Sequence, residues 1–176
     1  NTTGGMYSYG NYYTWHAAIA DLTYNGANNQ STTGTSLCPA GWHLPKGGDK
    51  SNESNNEFWA LIVTGLNGGI NPANYDSFTT PYYRGNAEAN PVSNKIRSYP
   101  NNFVYSGYVI GGGIIYSRGL HGDYWSSTAN SNSSLSASDH GMAFDLEFLT
   151  YESVYPGTGT INHKYYGRTV RCIAGA

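Results

Sequence analysis

The chain has 176 residues, of which only 11% are charged, and a formal net charge of −2. That length suits a single domain over residues 1–176 with a real core. It offers no basic field to hold a phosphate backbone and no apolar run near the roughly 18 residues of a membrane span, so neither nucleic acid nor membrane insertion is expected.

The opening "GGMYSYGNYYTW" reads as an aromatic, Gly-rich strand. Thr14 is placed to cap a helix over residues 15–24, with Trp15, Ala18, Ile19 and Leu22 on one face. A polar loop follows over 25–36, and "GWHLP" gives a short strand that Pro45 ends. Ser54 and Glu57 have the spacing of a capping box. A second helix should run from there to about residue 66, burying Phe58, Leu61, Ile62 and Leu66 before Gly68 and Gly69 stop it.

Residues 70–105 show no clean period and are punctuated by four prolines, so loops with short helical turns are expected there. "NFVYSGYVIGGGIIYS" reads as a hairpin around Gly111, Gly112 and Gly113. After "YWSST", residues 129–139 are small and polar, an exposed loop. In "AFDLEF" the alternation puts Phe144, Leu146 and Phe148 inward and Asp145 and Glu147 outward. "SVYP" and "RTVRCI" supply the last two strands. There is no internal repeat and no second domain.

The 23 Gly and 17 Tyr, among many Asn, Ser and Thr, are what recognition loops favour. Tyr gives a large contact area at low entropic cost, and the small residues adapt. The same composition also fits a secreted β-rich protein with long polar loops. Cys38 and Cys172 permit one disulfide, and the low charge suits an extracellular setting where it would persist. Two buried thiols in an intracellular protein are the alternative.

Four phrases, "YYTWHAAIA", "CPAGWHLP" followed by "EFWALI", "YWSSTA" and "GRTVRCI", resemble in order and spacing the Fibrobacter succinogenes major paralogous domain, a branch of the C-type-lectin-like fold. The resemblance covers nearly the whole chain. It implies an α+β fold, with two helices on a small twisted, mainly antiparallel sheet and the terminal strands together. Cys38 and Cys172 sit where the structural bridge of that fold belongs. The resemblance also implies a secreted or surface module, with any leader or anchor removed upstream of Asn1. Domains of this branch serve as variable proteins of diversity-generating retroelements, and the corresponding portion here would be residues 120–168.

Catalysis finds little footing. The fold also supports formylglycine-generating enzymes and iron-dependent sulfoxide synthases. The first need a reactive cysteine pair, and both cysteines here fall at the structural bridge. The second need a histidine cluster, whereas His16, His43, His121, His140 and His163 are dispersed and read singly as surface or hydrogen-bonding residues. There is no GxSxG. The acidic triplet and Trp-Asn-Asp phrase of calcium-dependent lectins are missing. Asp123, Asp139, Asp145 and Glu147 could join a different calcium site, but a solvated strand face accounts for them. No metal or cofactor is therefore expected.

The reading is a non-catalytic receptor- or adhesin-type domain for a protein or glycan on another cell or host. A surface structural or carbohydrate-binding module without diversification is the alternative, and a formylglycine-generating-type enzyme a distant one. Three segments should share one face: 120–124, the outward positions of "AFDLEFLTYESVY", and "NHKYYGR". The expected contacts are Leu120, His121, Asp123, Tyr124, Asp145, Glu147, Tyr151, Tyr155, His163, Tyr166 and Arg168, with Tyr165 turned inward. Trp42 and Trp125 are assigned to the core. Ser126 and Ser127 should bond backbone, and Arg171 should form a buried pair anchoring the last strand.

Overall fold

A computed structural model describes residues 9–21, 35–48, 55–66, 95–130, 142–150 and 154–175. In chain order these form α1 (Trp15–Ala18), β1 (Trp42–His43), α2 (Glu57–Trp59), β2 (Tyr108–Ile110), β3 (Ile114–Tyr116), β4 (His121–Asn130), β5 (Met142–Leu149), β6 (Val154–His163) and β7 (Ile173–Ala174). The mixture is the α+β one expected, with short helices. Its named strands divide among three antiparallel sheets instead of one: β1–β7, β2–β3 and β4-β5-β6. The loops expected over 25–34, 70–94 and 131–139 lie outside the described residues.

The β4-β5-β6 sheet has a core on each face. Phe144, Leu146 and Phe148 are buried, as their alternation requires. Tyr124, Leu146, Phe148 and Val154 meet Phe58, Trp59, Ile62, Phe103 and Tyr105 on the α2 side. On the α1 side, Trp125, Ala129 and Ala143 meet Trp15, Ala18, Ile19 and Leu44. Each large side chain buried here contributes about 1.5–3 kcal/mol. Gly122 is required by the first core: a Cβ at that position would stand 2.1 Å from the Phe148 ring. Ser126 and Ser127 serve backbone, donating to the carbonyls of Phe144 (2.7 Å) and Pro45 (3.3 Å).

Thr14 caps α1, its hydroxyl accepting from the Ala17 amide, and Trp15, Ala18 and Ile19 form the buried face. The helix is shorter than expected because Ala20 takes a left-handed φ of 55°. The Ala20 amide bonds the Ala17 carbonyl and the Asp21 amide bonds the His16 carbonyl, a Schellman ending. Leu22 lies outside the described residues. So does Ser54 of the expected capping box, and Glu57 is committed elsewhere. Its Oε1 meets His43 Nε2 at 2.8 Å and its Oε2 accepts from the Lys46 amide at 2.7 Å. Asn56 caps α2, accepting from the Trp59 amide at 2.9 Å. The helix then widens into π-helical turns over Ala60–Leu66, with Phe58 and Ile62 buried and Leu61 and Leu66 partly so.

Cys38 and Cys172 are bonded across 134 positions, with Cα atoms 5.8 Å apart. Closing a loop of that length contributes about 5 kcal/mol in the chain-entropy picture, and such a bond points to an oxidising compartment. Beside the bridge, β1 pairs with β7, and His43 Nδ1 reaches the Gly175 carbonyl at 2.9 Å. Both His43 ring nitrogens thus face acceptors, and the Glu57 hydrogen bond raises its pKa. Tyr13 exchanges backbone bonds with Arg168, so the two chain ends meet there as well. Trp42 departs from expectation at 50% exposure. It lies on a two-residue strand that pairs with β7, and Leu44 takes the buried position beside Trp15. Arg171 anchors its strand through a neutral partner, the Asn101 carbonyl at 2.5 Å, and lies over the Phe103 ring.

Candidate ligand-binding surface

In β4, His121 and Asp123 stand two residues apart and so point to the same side of the sheet. The β4–β5 register sets Asp123 opposite Glu147 and Trp125 opposite Asp145, and the β5–β6 register sets Glu147 opposite Tyr155. Directly opposed residues share a face, so all six lie on the α1 side of the sheet. The chain then turns at 163–166, where the Tyr166 amide bonds the His163 carbonyl, and residues 168–169 run beside β4, with Thr169 bonding the backbone of Asp123 and Trp125.

Arg168 is buried and its Nη1 donates to both Asp123 Oδ1 and Asp145 Oδ2. Its guanidinium also lies 5.2 Å from the Trp125 ring centroid and 5.6 Å from that of Tyr108. Asn162 donates to the other Asp145 oxygen at 3.2 Å. Burial pushes the Asp123 carboxyl above its ordinary value, against the pull of Arg168. Asp145 was expected to point into solvent. It is buried instead, because α1 and the returning chain cover this face as α2 covers the other. Asp123, Asp145 and Arg168 therefore sit beneath the surface as its frame. Tyr124 is also inside, on the opposite face, its hydroxyl donating to the Val104 carbonyl and accepting from the Val104 amide.

Above the frame the rings run together. Tyr108 stacks on Tyr116 (5.8 Å between centroids) and on Tyr166 (6.4 Å), and lies 6.2 Å from His121. Tyr166 continues the chain of contacts to Tyr165 at 5.0 Å and His163 at 5.3 Å. Tyr165 is 61% and Tyr116 40% exposed, while Tyr108, His121, His163 and Tyr166 are partly exposed. Tyr165, expected to turn inward, is the exposed ring of the pair, and Tyr166 is partly exposed. They sit in a turn where strand alternation does not apply, and Tyr166 leans on the Trp15–Trp125 core.

Of the remaining expected contacts, Leu120 is exposed and Tyr155 partly buried, and Tyr151 lies outside the described residues. Tyr108 and Tyr116 were missed. They stand opposite each other at the open end of the β2–β3 hairpin, and the one available signal was their symmetrical spacing about the glycines. Next to the ridge, His121 Nδ1 stands 3.4 Å from Glu147 Oε1, with Asp123 beside them. Asp139, the other acid weighed for a cation, lies outside the described residues. A separate groove of about 340 Å³ runs between residues 9–13 and 169–172; the charged side chain among its described residues, Arg171, is engaged by Asn101. No free thiol remains among the cysteines. Comparison of the chain with models of known families, with curated proteins and with solved structures finds no match.

Proposed function

We propose that this chain is a non-catalytic, extracellular binding module of the C-type-lectin-like kind, and that its ring surface contacts a protein or glycan carried by another cell or a host. One observation carries the reading: six rings, Tyr116, Tyr108, His121, Tyr166, Tyr165 and His163, form a continuous, partly exposed patch on a cross-braced frame. Rigid aromatic side chains that keep their positions in the free state lose little entropy on binding, and such residues dominate recognition energetics. The frame beneath, with its buried arginine and the disulfide, lets surface residues change without loss of the fold.

The four-phrase resemblance adds diversification by a retroelement to this reading. A near-copy of the DNA encoding residues 120–168, beside a reverse transcriptase gene and differing only at adenines, would support it. Such differences falling chiefly on codons for Trp125, Phe144 or Phe148 would count against it. Binding itself is tested with fluorescent protein on glycan arrays and on intact cells. The double variant Tyr116→Ala/Tyr165→Ala is expected to abolish binding while moving Tm by only about 1–4 °C. Unchanged binding, or a fall in Tm of the size that core truncations produce, would sink the proposal.

A further inference from the structure

We propose that His121, Asp123 and Glu147 form a site for a divalent ion of the first transition row, with Zn²⁺ the ion that fits best. The three residues each offer a donor atom, and these atoms lie within 4.8 Å of one another. His121 Nδ1 and Glu147 Oε1 stand 3.4 Å apart, longer than an ordinary hydrogen bond. That separation matches neighbouring ligands of a tetrahedral ion, which at metal–ligand distances near 2.1 Å stand about 3.4 Å apart.

An independent observation comes from Asp123. Its carboxylate is fully buried, and Arg168 takes Oδ1. Oδ2 is shielded from solvent with no hydrogen-bond donor among the described residues. A shielded carboxylate oxygen without a partner is costly, and a cation would satisfy it. The local charge agrees. Asp123, Asp145 and Glu147 bring three carboxylates against the one guanidinium of Arg168, an excess of two that matches one divalent ion.

The donors also select the ion. An imidazole nitrogen beside two carboxylates suits Zn²⁺, whereas Ca²⁺ seeks six to eight oxygens, more than the described residues bring here. Arg168 would hold the Asp123 carboxylate in place behind the ion, as outer partners of metal ligands do. The His121 and Glu147 side chains are 17% and 15% exposed, which leaves an entry path and room for a water as fourth ligand.

The test uses the whole chain freed of metal with a chelator. Zn²⁺ binding is followed by calorimetry, and Co²⁺ binding by its visible absorption. One ion per chain is expected, with a rise in Tm. The variants His121→Gln and Glu147→Gln should each weaken binding by at least about tenfold. Absence of binding by the wild-type chain would overturn the site. So would variants that bind as wild type does, which would place the ion on another histidine, or uptake of Ca²⁺ in preference to Zn²⁺. Should a variant fail to fold, NMR of the folded wild type decides: Co²⁺ must perturb the His121 imidazole, and perturbation confined to His16, His43 or His163 refutes the site. The binding reading stands or falls separately, since its variants, at Tyr116 and Tyr165, leave all three donors in place.

Discussion

Arg168→Met separates a frame residue from a ligand contact. The guanidinium bonds Asp123 and Asp145 on neighbouring strands, and all three side chains are at most 3% exposed. Methionine fills much of the same volume against Trp125 but leaves two buried carboxylates without that partner. Breaking a buried ion pair from one side costs about 3–5 kcal/mol, which for a chain of this size is a fall of roughly 6–20 °C in Tm. A residue whose role is only to touch a ligand would cost within about 0.5 kcal/mol. The deficit should also depend on pH. Burial already holds the folded Asp123 carboxyl above its ordinary value, and loss of Arg168 moves it further the same way. A carboxyl whose folded pKa exceeds an unfolded value of about 3.9 costs stability only where it must ionise, so the deficit is least below about pH 4 and grows as the pH rises towards the folded value. Urea unfolding of wild type and variant from acid to neutral pH measures this directly. A loss under about 1 kcal/mol at neutral pH, or a deficit constant across the range, would refute the reasoning.

Lys164 is buried, and burial pushes its amine down from 10.5 to about 8. The Trp15 ring, whose centroid lies 4.4 Å from Nζ, favours the charged form, and burial outweighs this attraction. The unfolded amine keeps its proton to higher pH than the folded one, so wild-type stability should climb between pH 8 and 10.5. Lys164→Met should flatten that climb, and a variant whose stability still rises between pH 8 and 10.5 as the wild type does would overturn the account. Ala20, at φ 55°, occupies the left-handed position that ends α1. Ala20→Gly should therefore stabilise by about 0.5–1 kcal/mol in thermal unfolding, and a destabilised variant would show that the helix ending is not strained.

The sequence by itself determined the local features: the Phe144–Leu146–Phe148 alternation, the hairpin turning on Gly111–Gly113, the Thr14 cap and the apolar face of α1. In each, the signal and the structure it specifies lie within a few residues, where strand and helix periods govern side-chain direction. The resemblance of short phrases supplied the cysteine pairing. Tertiary structure alone decided what covers each face. Alternation places Asp145 opposite in direction to Phe144, but it does not say whether water or a second core meets it. Here α1 and the returning chain do, and Arg168, 23 positions along, becomes its partner. Glu57 leaves its expected cap for His43 and Lys46 for the same reason: a carboxylate bonds whichever donors packing brings within reach. Tyr108, Tyr116, Tyr165 and Tyr166 meet because Val109 of the hairpin exchanges backbone bonds with Gly167 just past the turn, a residue far away in sequence. Nothing local in a tyrosine distinguishes a ring that joins such a surface from one that fills a core, because the difference lies wholly in which distant segments fold against it.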